Sequence, residues 1–120
     1  MRVGIDVLDA DRMIKLSKNE KHLAQVFNQN EVNHFKASNN YLPRLAGMYC
    51  AKEAFLKALG IGVRNGINFQ EIEVGHEDTG RPIYILSDHI KDILKSLKIT
   101  KIDLSISHTD NIATAICIME

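Results

Sequence analysis

Asp6, Glu53 and Lys57 are the residues of this chain whose types and surroundings suggest chemistry. Asp6 stands in the apolar run Val3-Gly4-Ile5-Asp6-Val7, and Glu53 and Lys57 stand in Tyr49-Cys50-Ala51-Lys52-Glu53-Ala54-Phe55-Leu56-Lys57-Ala58-Leu59-Gly60. An ionised carboxylate among apolar side chains is penalised unless a cation or several hydrogen-bond donors compensate it. Two such acids on separate segments suggest a divalent-metal site assembled across the fold. Each also has an ordinary alternative. Glu53 can pair with Lys57 at i,i+4 on an exposed helix, worth only about 0.2 to 0.5 kcal/mol, and Asp6 can cap a following helix or solvate a turn.

The elements that must position these groups follow from periodicity. Residues 2–7 alternate Val3, Ile5 and Val7 with Arg2, Gly4 and Asp6, which predicts a half-buried strand with Asp6 on the face opposite the apolar one. Residues 41–59 give the strongest helical signal, with Pro43 near the start, alanines inside and Gly60 as terminator. At about 100° per residue, Glu53 shares a face with Ala46, Tyr49, Cys50, Leu56, Lys57 and Gly60. The opposite face holds Met48, Ala51, Phe55, Ala58 and Leu59, so this helix is apolar nearly all round and belongs at the centre of the fold. Lys52 lies some 100° from Glu53 and is expected to snorkel out of the core.

Asp9 is expected to cap a helical stretch with Met13 and Leu16 on one side, and Asn28 with Glu31 to form a capping box before Val32 and Phe35. The period then changes. Residues 69–74 and 83–86 predict a hairpin around a polar turn with Gly75 and Gly80. Ser87 precedes an amphipathic helix carrying Ile90, Ile93, Leu94 and Leu97. Residues 102–106 and 112–119 predict a second hairpin around Thr109-Asp110-Asn111. Helices grouped early and antiparallel strands grouped late imply an α+β fold, a single domain over residues 1–120 with a long central helix.

Composition bounds the partners. The chain has 120 residues, 45% hydrophobic and 25% charged, which is globular rather than disordered. Its formal net charge is zero, which argues against generic nucleic-acid binding. No stretch approaches the roughly 20 apolar residues of a membrane helix, so no membrane partner and a cytoplasmic location are expected. Cys50 and Cys117 lack CxxC spacing and read as reduced structural thiols. His22, His34, His76 and His89 show no metal-ligand spacing.

Four segments occur in order: Gly4-Ile5-Asp6-Val7, Leu45 through Gly60, Gly80-Arg81-Pro82, and Ser105-Ile106-Ser107-His108-Thr109. Together they resemble the bacterial holo-acyl-carrier-protein synthases, the small group of 4′-phosphopantetheinyl transferases, over almost the whole chain. The resemblance implies Mg²⁺-dependent transfer of 4′-phosphopantetheine from coenzyme A to a serine of apo acyl carrier protein, releasing 3′,5′-ADP and supporting fatty acid biosynthesis. It implies Asp6 and Glu53 as catalytic residues and metal ligands, which suits an ion that takes one or two carboxylates and completes its shell with phosphate and water. Either Glu53 or a metal-bound water near Asp6 would accept the serine proton. Lys57 resembles the family's phosphate-binding lysine, and Gly80, Arg81, Pro82, His108 and Thr109 match positions that approach coenzyme A.

The resemblance further implies a homotrimer with sites between neighbouring subunits, so that Asp6 and Glu53 of one chain meet coenzyme A contacts of the next. Acyl carrier proteins are acidic, and Arg12, Lys15, Lys18 and Lys21 are expected to dock one from an early helical stretch. Two positions depart from the pattern: Met48 stands where members often have arginine, and Cys50 where they have alanine. Any contact made by that arginine is unsupplied here. The alternatives are another metal-dependent phosphoryl or phosphodiester enzyme, or a noncatalytic oligomeric binding module.

Overall fold

The architecture is organised around the crossing of the first strand, β1 (Arg2–Asp9), over the longest helix, α4 (Leu42–Leu59). The computed structural model describes residues 1–61 and 66–120. A Cβ added to Gly4 would stand 1.9 Å from the Ala54 carbonyl oxygen and 2.5 Å from the Ala58 nitrogen, so backbone meets backbone there. Only glycine allows that approach.

This contact sets which way β1 faces. Side chains alternate along a strand, so Gly4 against α4 brings Asp6 and Leu8 to the same side. Val3, Ile5 and Val7 point outward and are 51%, 59% and 65% exposed. The alternation in the sequence predicted the reverse, with the three aliphatic residues on the core side. The apolar side chains were the visible signal, whereas the decisive contact is made by a residue without one.

β5 (Ile112–Met119) lies at the centre of a three-stranded antiparallel sheet in the order β1-β5-β4, with β4 spanning Ile102–His108. Asp6 pairs with Ala115, and Ala115 with Ile106. β1 and β4 are therefore the two edges. Ala113, Ala115, Cys117 and Met119 of β5 are buried on the side that packs against α4. A second hairpin, β2 (Ile72–His76) and β3 (Pro82–Leu86), packs against α4 and β4. Its first strand starts later than the sequence predicted, because residues 69–71 form a 3-10 turn closed by an Asn68–Glu71 capping box.

α4 is buried nearly all round, as its composition predicts, with Pro43 in its first turn. Gly60 ends it at φ +76, donating its N–H to the Leu56 and Lys57 carbonyls. The Asn28–Glu31 capping box opens α3 (Gln29–Lys36), and the Ser87 side chain accepts from Ile90 N–H to open α5 (Asp88–Ser96). The early region departs from expectation. β1 runs on to Asp9, whose side chain makes no capping bond, and a 3-10 turn leads into α1 (Ile14–Lys18). Asn19 is extended at φ −109 and ψ 97, and its side chain accepts from His22 N–H to start α2 (Glu20–Val26). Lys21 thus lies on a different helix from Lys15 and Lys18. Among the described residues no helix is long and apolar enough to cross a membrane.

Candidate active site

β1 and α4 bring Asp6, Glu53 and Lys57 together. Lys57 Nζ donates to Asp6 Oδ1 at 3.0 Å and to the Ile5 carbonyl at 3.0 Å, while Thr114 Oγ1 donates to the Asp6 carbonyl at 2.8 Å. Asp6 is thereby fixed from the helix and from β5. Among the described residues the ion pair Lys57 makes is with Asp6 rather than the i,i+4 pair with Glu53. Asp6, Glu53, Tyr49 and Arg12 line one open cavity of about 300 Å³.

The electrostatics are those of a site short of positive charge. Burial, and then the Asp6 charge, push the Glu53 carboxyl above its usual range, against the opposing pull of Lys57 and the Tyr49 hydroxyl. Burial and the same two acids raise Tyr49. The Cys50 thiol is pushed up to about 12 by burial and then by Asp6, so it stays protonated and donates to the Ala113 carbonyl at 3.6 Å. Two carboxylates in one cavity, with the charged form of Glu53 disfavoured by burial and by Asp6, make a place for a cation. Among the described residues no group of three His, Cys, Asp or Glu converges. The donor set is two oxygen-bearing acids, which fits Mg²⁺ when phosphate oxygens and water supply the rest and does not fit an all-protein zinc site.

Lys52, one residue before Glu53, has no part in this cavity. It is 0% exposed and ion-paired with Glu31 at 2.9 Å. It also donates to the Phe69 carbonyl at 2.9 Å. The expected snorkelling is corrected: α3 and the 69–71 turn close over the ammonium and supply acceptors in place of water. The sequence marked Glu31 only as a cap. Nothing local signals that its carboxylate also accepts from Val74 N–H and Lys52.

A second cavity, of about 260 Å³, lies at the β4 edge and gathers Gly80, Pro82 and His108 with His34, Arg44, Met48, His76 and Ile106. The rings of His34, from α3, and His76, from β2, stack at 3.7 Å with 12° between planes. No sequence spacing signals this pair, since it depends on how α3 meets β2. Arg81 turns away from that cavity, pairing with Asp103 at 3.2 Å and Glu77 at 3.9 Å. The Thr109 hydroxyl accepts from Asn111 and Ile112 N–H and organises the β4–β5 turn. Arg12, Lys15 and Lys18 are exposed.

The two cavities do not face each other within one chain. Arg44 precedes Glu53 by nine positions, which at about 100° each places it on the far side of α4. The carboxylates stand at the β1 edge of the sheet and the basic cavity at the β4 edge.

A family model described as the 4′-phosphopantetheinyl transferase superfamily matches residues 2–117. The chain belongs to this superfamily. It is 36% identical over 118 residues to the holo-[acyl-carrier-protein] synthase of Caldicellulosiruptor saccharolyticus, covering 98% of this chain and 94% of that protein. The crystal structure of the Neisseria meningitidis holo-[acyl-carrier-protein] synthase superposes with a TM-score of 0.88 at 26% identity, covering 99% of this chain and 97% of that one. The Bacillus anthracis holo-(acyl-carrier-protein) synthase in complex with CoA (3′,5′-ADP) matches at 31% identity and a TM-score of 0.79, covering 98% of this chain and 94% of that one. These matches bear out the α+β fold and the resemblance seen in the four ordered segments. Within this phosphopantetheinyl transferase the first of those segments brings Asp6, and the second Glu53, to one cavity, with Lys57 of the second paired to Asp6.

Proposed function

We propose that this chain transfers 4′-phosphopantetheine from coenzyme A to a serine hydroxyl of apo acyl carrier protein, giving the holo carrier and 3′,5′-ADP in support of fatty acid biosynthesis. The observation that carries the reading is the convergence of Asp6, Glu53 and Lys57 at the β1–α4 crossing, in a chain that the superfamily model matches nearly end to end. The serine oxygen bonds to the phosphorus bearing the pantetheine arm, the bridging oxygen leaves with 3′,5′-ADP, and the serine proton must be taken up. Glu53, or a water beside Asp6, would take up that proton. Lys57 presents its ammonium to phosphate oxygens from a position fixed by Asp6 and the Ile5 carbonyl. Asp6 and Glu53 are the residues that would hold Mg²⁺, which when bound neutralises charge on the pyrophosphate.

The reading includes a homotrimer, with sites shared between copies. Ile116 and Ile118 are the register partners of Ile5 and Val3, so with Val7 they form an apolar strip on the outer sheet face. An exposed strip of this kind beside an edge strand calls for a cover. Packing copies over it would also let one chain's carboxylates meet the next chain's basic cavity. Arg12, which lines the carboxylate cavity, and the exposed Lys15 and Lys18 would meet an acidic carrier. A cytoplasmic location is supported by two buried free cysteines, the state kept in a reducing compartment.

Incubation with coenzyme A, Mg²⁺ and apo acyl carrier protein is expected to add the mass of phosphopantetheine to the carrier. Glu53→Gln is expected to abolish the gain while leaving folding and assembly intact. No mass gain on several carriers overturns the reading. Ile5→Lys is expected to give a monomer by light scattering, and a trimer that survives it removes the outer face from the interface.

A further inference from the structure

Tyr49 directs its hydroxyl at a carboxylate of the open cavity rather than at the backbone of the core. Tyr84 shows the ordinary arrangement, its hydroxyl donating to the Ala51 carbonyl at 2.6 Å in the interior. Tyr49 stands four positions before Glu53 on α4, about 40° away around the axis, so the two side chains share a face. Both line the cavity with Asp6 and Arg12. Lys57 commits its ammonium to Asp6 and the Ile5 carbonyl, and the Glu53 carboxyl takes its side-chain hydrogen bond from the Tyr49 hydroxyl. The Tyr49 ring is itself seated, on Phe69, with centroids 5.6 Å apart and 36° between planes. Phe69 opens the 69–71 turn, which the Asn68–Glu71 box closes and the Ser87 hydroxyl ties to the start of α5 through Glu71 at 2.9 Å. A held ring leaves the hydroxyl little freedom. Glu53 is placed differently: burial and the Asp6 charge disfavour its ionised form where it stands, and a long flexible side chain relieves that by swinging out to water.

We propose that Tyr49 is the positioning residue for Glu53, its hydroxyl keeping the carboxylate on the Asp6 side of the cavity, where the two acids share a cation. The assignment rests on the phosphopantetheine-transfer reading and on the Mg²⁺ site within it. A carboxylate that ligates a metal is commonly hydrogen-bonded in turn, and losing that partner costs about 10- to 100-fold in metal affinity or activity. A phenol is neutral at neutral pH and donates one hydrogen bond, so it orients Glu53 without neutralising it. A second ammonium would orient the carboxylate and cancel the charge that draws the cation. In this role the hydroxyl acts through Glu53 and makes no contact with the reacting phosphate.

Tyr49→Phe removes the hydroxyl and keeps the ring on Phe69, whereas Tyr49→Leu removes both. Mn²⁺, an ion with the same preference for oxygen ligands, is titrated into each chain without nucleotide, and the free ion is read by electron paramagnetic resonance. Tyr49→Phe is expected to raise the Mn²⁺ dissociation constant about tenfold and to lower kcat by a similar factor. Its KM for coenzyme A is expected to stay within about twofold of the wild-type value, and its urea midpoint to be unchanged. Tyr49→Leu is expected to match it in metal affinity and kcat and to lose stability besides. An unchanged Mn²⁺ affinity in Tyr49→Phe overturns this proposal alone: with kcat also unchanged the ring is what matters, and with kcat lowered the hydroxyl acts on the substrate. A fall in kcat and Mn²⁺ affinity that tracks a fall in the urea midpoint makes the hydroxyl structural and overturns it as well. Absence of transfer by the wild-type chain overturns the functional reading and this proposal with it.

Discussion

Lys52 and Lys57 stand five residues apart on the same helix, about 140° apart around its axis, and each lies within hydrogen-bond distance of a carboxylate, at 2.9 Å from Glu31 and 3.0 Å from Asp6. What separates them is water. The Lys52 and Glu31 side chains are 0% and 1% exposed, whereas those of Lys57 and Asp6 are 52% and 15% exposed. In the dry pair every partner is a fixed part of the fold: Glu31 also accepts from Asn28 and Val74 N–H, and Lys52 from its other side meets the Phe69 carbonyl. Those bonds tie α3, α4 and β2 together. In the wet pair the ammonium stays open to a ligand, so a phosphate oxygen can join it. Distance alone does not separate the two pairs, and burial does.

The comparison can be broken most strongly at the dry pair. Lys52→Met leaves Glu31 buried without its cation, an uncompensated charge that costs about 3 to 5 kcal/mol. Urea denaturation should show that loss, while transfer per folded molecule stays near the wild-type value. A small stability change would mean that Glu31 finds water or a proton, and the contrast would collapse.

The wet pair should behave in the opposite way. Asp6→Asn and Lys57→Met are each expected to lower kcat by about 10²- to 10³-fold, the scale for removing a preorganised charge from a reacting phosphate. Stability is expected to move by at most about 1 kcal/mol, as for an exposed ion pair. A variant that loses stability and activity in proportion would mark the Lys57 pair as structural too. A double-mutant cycle sharpens the point: coupling of Asp6 with Lys57 should lie in the range of about 0.2 to 1 kcal/mol, below that of Lys52 with Glu31.

The smallest effect is a pH dependence. Burial lowers the Lys52 ammonium below its ordinary 10.5, against the pull of Glu31. Between the lowered value and 10.5 the unfolded chain binds more protons at this residue than the folded one, so the Lys52 contribution to stability rises with pH. Lys52→Met lacks that term. The stability gap between wild type and variant should therefore widen as pH rises toward 10.5, and denaturation at pH 8 and pH 10 measures it.

Much of this was readable from the chain because it depends on local pattern. The Asn28–Glu31 box, Ser87, Pro43 and Gly60 mark helix ends through their own backbone chemistry, and each sits where it was expected. Asp6, Glu53 and Lys57 were found because carboxylates are conspicuous in apolar runs. What stayed hidden depends on packing between distant segments. The Lys52–Glu31 pair joins two helices, the His34–His76 stack joins a helix to a strand, and Arg81 turns toward Asp103 because β3 lies beside β4. The outward face of β1 was misread because the apolar pattern of Val3, Ile5 and Val7 reads as a core face, while the contact that turns the strand is made by Gly4, which has no side chain.

Gly4 makes the first strand its own gauge. A slip of one residue along β1 would bring Val3 or Ile5, with a branched side chain, against the Ala54 carbonyl, and would swing the carboxylate of Asp6 to the outer face. No chain can therefore carry a misaligned β1 and an assembled site together. Turnover in a preparation of this protein counts the molecules whose first strand has found its place.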